Sequence, residues 1–156
     1  MNRTLITGLL ALSLNSVSGL AFAADTSPTP TDTLAGARAQ IAAKNYTGAI
    51  EELKRVNDVT SADWNNLMGY SLRKQQTPDL AGSEKFYNEA LRINPQHRGT
   101  LEYSGELYLI KGDLASAEKR LTALDKACLF GCEEYTDLKK KVARFKADGN
   151  KYVAVD

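Results

Sequence analysis

Lys111-Gly112-Asp113-Leu114-Ala115-Ser116-Ala117-Glu118-Lys119-Arg120-Leu121 decides the fold, because looser copies of its pattern stand 34 and 68 residues upstream. Leu114, Ala117, Leu121 and Leu124 answer to Leu80, Ser83, Tyr87 and Ala90, and those in turn to Tyr46, Ala49, Leu53 and Val56. Each column keeps its character: apolar, small, large apolar, apolar. Three passes at one period predict an all-α chain that stacks copies of a single helical hairpin, each burying the apolar face its neighbour cannot cover alone.

Downstream of this stretch the pattern changes. One period after Leu101, Ser104 and Tyr108 come Tyr135, Leu138 and Val142, joined by Phe145, so a last helix takes the place of a fourth first-helix. The close-contact position that holds Ala37, Gly69 and Gly105 in the earlier units holds Lys139 here, which predicts that no second helix follows. Lys140, Lys141, Arg144 and Lys146 are then expected to solvate the outer face of a terminal cap. Gly149 stops the helix, residues 149–156 make the C-terminal tail, and Lys151–Asp156 is expected to fray.

Upstream, the third hairpin begins after Asn94-Pro95, with Leu101, Ser104, Gly105 and Tyr108 on its first helix. The second opens at Thr60-Ser61-Ala62-Asp63, a hydroxyl followed by an acid in the first turn. Trp64, Leu67, Met68 and Leu72 supply its buried face, Pro78 ends its first helix and Asp79 caps its second. The first hairpin runs from Leu34 through Ala37 and Ile41, breaks at Asn45, and resumes with Tyr46, Ala49, Ile50, Leu53 and Val56. Three hairpins and a capping helix therefore fill residues 34–148.

Ahead of them, residues 24–33 are polar and proline-punctuated, as a flexible linker is. Residues 1–23 pair one early charge, Arg3, with an apolar run and Ala21-Phe22-Ala23, the pattern of a signal peptide cut after Ala23 or Ala24. The run is too broken to span a bilayer, so no stable membrane insertion is expected once the signal is removed. A periplasmic or secreted location follows. Of 20 basic and 19 acidic residues, the signal carries Arg3 and no acid, leaving 19 of each. That balance argues against a nucleic-acid partner, whose phosphates call for a net basic surface.

Reactive chemistry is sparse. The spacing of Cys128-Leu129-Phe130-Gly131-Cys132 is neither the C-x-x-C of redox sites nor a haem motif. In an oxidising compartment two cysteines astride a glycine turn are expected to pair, and closing so short a loop is worth ~2 kcal/mol. Thiol–disulfide exchange is the alternative function for Cys128 and Cys132. Two sulfurs alone do not make a metal site, and the one histidine, His97, is expected at a solvated helix start far from them. No catalytic triad and no phosphate loop are apparent, so neither catalysis nor a cofactor is expected.

The residues of the repeat resemble the tetratricopeptide family over residues 34–145. The third unit carries Gly105, Tyr108, Gly112, Ala117 and Leu121 in the family's places; the second carries Trp64, displaced by one, with Gly69, Tyr87, Ala90, Pro95 and Ser83 for alanine; the first keeps Ala37, Tyr46, Ala49 and Leu53. The resemblance implies a right-handed superhelix that binds partner proteins on a concave face lined by first helices. Its groove positions fall on Arg38, Ile41 and Ala42, on Asp63, Asn66, Tyr70, Arg73 and Lys74, and on Glu102, Glu106, Leu109 and Ile110. Asn66 matches one position of the clamp that chaperone-binding members close on a terminal carboxylate. Glu102 stands where that clamp needs a base, so the expected ligand is a peptide segment carrying both charges. Self-association through either face is a further option. On this reading, alanine at Arg73 and Lys74 weakens capture without altering thermal stability.

Overall fold

The computed structural model describes residues 32–152. The signal expected over residues 1–23, most of the linker and the last four residues of the tail lie outside that range. Among the described residues the chain is all-α: α1 (Ala35–Ala42), α2 (Tyr46–Val56), α3 (Ala62–Lys74), α4 (Leu80–Ile93), α5 (Arg98–Ile110), α6 (Leu114–Ala127) and α7 (Glu133–Ala147). No described helix is long and apolar enough to cross a membrane.

The boundaries follow from capping chemistry. Asn45, Ser61, Asp79 and Asp113 each accept a hydrogen bond from the backbone N–H three residues on, satisfying a donor that the first helical turn leaves free. Gly112, at φ +77°, lets the backbone turn from α5 into α6 where a side chain would strain it.

Helices α1 and α2 pack together, as do α3 with α4 and α5 with α6, while α7 lies against both α5 and α6. Leu34, Ala37, Ile50, Leu53, Trp64, Leu67 and Met68 form one apolar cluster, and Leu101, Ala117, Leu124, Cys128, Leu138, Val142 and Phe145 belong to the other. Trp64 anchors α3 on α2 in two ways: it packs in the first cluster, and its indole N–H donates to the Leu53 carbonyl at 2.7 Å.

Small residues set the closest approaches. A Cβ on Gly69 would stand 2.7 Å from the Tyr87 ring, and the Ser83 hydroxyl donates to the Gly69 carbonyl at 2.7 Å. The space over Gly105 is filled by Leu138 of α7, which a Cβ there would meet at 2.5 Å. Cys128 and Cys132 are disulfide-bonded, with Cα atoms 5.6 Å apart. The bond joins the end of α6 to the start of α7, and Cys128 is buried in the second cluster.

Candidate functional site

The C-terminal end of α3, the middle of α5 and the C-terminal half of α7 line a cavity of about 230 Å³. Its centre is a chain of buried charges. Arg73 on α3 donates through Nη1 to Glu106 Oε2 on α5 at 2.7 Å, with side-chain exposures of only 4% and 9%. Lys141 on α7 bonds to Glu106 Oε1 and reaches Glu102 Oε1 at 3.4 Å. Two carboxylates one helical turn apart would repel each other in a low-dielectric setting, and the two cations between helices offset that repulsion.

Burial raises the Glu102 carboxyl to about 7, with Lys141 pulling against it and Glu106 adding to the rise. Burial also opposes the charges of Arg73 and Lys141, yet Glu106 holds the guanidinium protonated and the two glutamates hold the ammonium so. The Tyr87 hydroxyl lies beside Arg73, but neither it nor Arg73 Nε completes a hydrogen bond. Arg73 also stacks over the rings of Tyr70 and Tyr103, at 5.5 and 5.8 Å, and those rings are 4.8 Å apart.

Five of the seven partner-binding residues expected from the sequence line this cavity: Tyr70, Arg73, Lys74, Glu102 and Glu106. Two do not. Arg38 is exposed on α1, reaching Asp32 and Asp63 at 3.5 Å each. Asn66 is buried and accepts from the Thr100 hydroxyl at 3.1 Å, so its amide serves the α3–α5 contact. Leu109, placed in the groove by family position, is buried in the second apolar cluster.

Three expectations are corrected here. Lys141 does not solvate an outer face; it sits on the flank of α7 that meets α5, three residues after the buried Leu138, and is tied to two glutamates. Lys151 and Tyr152, the described part of the tail expected to fray, line the cavity; they follow a turn in which Gly149 and Asn150 take φ of +70° and +61° and the Asn150 N–H donates to the Phe145 carbonyl at 2.9 Å. His97 stands at a helix start as expected, capping α5, but its side chain is largely covered and bonded rather than free in solvent. Its Nδ1 accepts the Thr100 N–H at 3.1 Å, which leaves the proton on Nε2 to bond Asp63 at 2.9 Å.

Tyr103 lines the cavity too; sequence reasoning missed Phe145 and Tyr152 as lining residues, and placed Lys141, Arg144 and Lys151 elsewhere. Opposite charges 33 residues apart on neighbouring first helices, as at Arg73 and Glu106, were the available signal. A second, more open depression of about 1010 Å³ lies over α4, with Val59, Trp64, Phe86 and Ile93 among its walls. At the disulfide, the Glu134 carboxylate lies within 4.8 Å of both sulfurs, which are bonded to each other. No protein-family model matches the chain and no curated protein matches it in sequence, which leaves its own residues as the ground for a functional reading.

Proposed function

We propose that the chain is a non-enzymatic adaptor, exported to the periplasm, that holds a segment of another protein against α3, α5 and α7. In this reading the helices form a tetratricopeptide-like stack of three hairpins and a capping helix. The successive pairing of α1 with α2, α3 with α4 and α5 with α6, followed by α7 against α5, supports a repeating arrangement of hairpins. The observation that carries the adaptor role is the cavity itself, a concave site whose polar groups are fixed in place by the Arg73–Glu106–Lys141 chain before any ligand arrives. A preformed site spares the partner much of the ordering cost of binding. Cys128, buried among apolar side chains, serves as a staple of the α6–α7 junction.

A photo-crosslinking residue placed at Tyr70 in the full chain, with Lys85 on α4 as the control position, tests the reading in the native compartment. One dominant protein product from Tyr70 and not from Lys85 is expected. Products from Lys85 alone would overturn the groove.

A further inference from the structure

The described lining of the cavity carries five cations, Arg73, Lys74, Lys141, Arg144 and Lys151, against two carboxylates, Glu102 and Glu106. The whole chain is nearly balanced, at 20 basic to 19 acidic residues, so this surplus is local to the site. The two carboxylates are already engaged by Arg73 and Lys141. What remains is cationic: Arg144 meets only Asp148, at 3.8 Å and in solvent, while Lys74 and Lys151 make no ion pair among the described residues.

We propose that this cavity takes the carboxylate side chains of an acidic partner segment, rather than a segment of mixed charge. The inference rests on the groove reading above and names its ligand chemistry. Three features carry it. First, the surplus cations Lys74, Arg144 and Lys151 gather around one concave site that Tyr70, Tyr103 and Phe145 also line, so their fields sum on an incoming anion. Secondly, at about 230 Å³ the space falls below the roughly 300–1,000 Å³ of small-molecule sites, so it accepts one or two side chains of a peptide laid across the helices. Thirdly, Arg73 lies over both tyrosine rings and the rings pack on each other at a tilt, an arrangement that does not present the parallel open faces on which nucleobases stack.

Fluorescence anisotropy on the full chain tests this with two labelled peptides of about ten residues, one alternating Glu with Ala and Leu, the other with Lys for Glu. The Glu peptide is expected to bind and the Lys peptide not, with binding weakened several-fold between about 50 and about 300 mM salt. Lys74→Glu with Lys151→Glu, both on exposed positions, is expected to weaken the Glu peptide roughly tenfold or more while leaving the thermal melt unchanged. Equal binding of the two peptides, no binding of either, or an affinity indifferent to the double reversal would overturn the proposal. So would an oligothymidine that competes better than the Glu peptide. If the Tyr70 crosslink persists while these results fail, the acidic ligand is wrong and the groove stands; loss of both removes the groove as well.

Discussion

At the scale of single residues, Arg73 is the side chain whose role changed most on seeing its surroundings. Its position on a first helix suggested a free groove charge, yet the guanidinium is buried and bonded to Glu106. Removing one member of a buried pair costs about 3–5 kcal/mol. Arg73→Ala is therefore expected to lose about 2–4 kcal/mol of stability, the smaller end reflecting the Lys141 contact that Glu106 retains. Urea denaturation checks this, and an unchanged midpoint would return Arg73 to the surface role that sequence gave it. Glu102 supplies the pH dependence. Its carboxyl is raised to about 7 in the folded chain, against 4.5 ordinarily. Folding therefore takes up a proton between those values, and the stability this group contributes is full below the lower value and declines as pH rises through the upper one. Melting temperatures recorded from pH 5 to 8 should fall in the wild type, and Glu102→Gln should flatten that slope.

At the scale of elements, helix pairing depends on a few points of close approach. Gly69→Ala would place a methyl group 2.7 Å from a Tyr87 ring that is wholly buried and has nowhere to move, with the Ser83 carbonyl at 3.1 Å behind it. The α3–α4 pair should then lose about 1–3 kcal/mol, measured by the denaturant midpoint. A wild-type midpoint would mean that α3 and α4 sit farther apart. The α6–α7 junction is held covalently as well as by packing. Replacing Cys128 and Cys132 by serine should cost ~2 kcal/mol through the loop closure that the disulfide provides in the unfolded chain. Comparing unfolding of oxidised wild type, reduced wild type and the double variant separates that effect from the burial of Cys128. Identical curves for all three would show that the bond adds nothing to stability.

At the scale of the whole molecule, the export reading predicts a mature chain that starts at Ala24 or Asp25, and intact-mass measurement of protein from the native compartment should show it. A retained residue 1 would overturn the periplasmic assignment. How much was legible beforehand follows from the range of the forces involved. The helices could be read from the sequence, since Ser61, Asp79 and Asp113 cap them through neighbours three residues away and apolar residues recur at helical spacing. The cysteine pairing could be read too, because only three residues lie between Cys128 and Cys132. Tertiary structure alone decided that Lys141 turns inward to Glu102 and Glu106, that Asn66 and Leu109 serve packing, and that Tyr152 reaches the cavity. Those outcomes depend on which flank of α7 meets α5 and on how the chain reverses at Gly149. They are set by packing and by the cost of burying charge, between residues that lie up to 39 apart in the chain. Sequence by itself determined the elements and their boundaries, because hydrogen bonds along a helix are local. The tertiary structure decided which charges are buried partners and which stay free to meet a ligand, because desolvation acts only once distant helices come together.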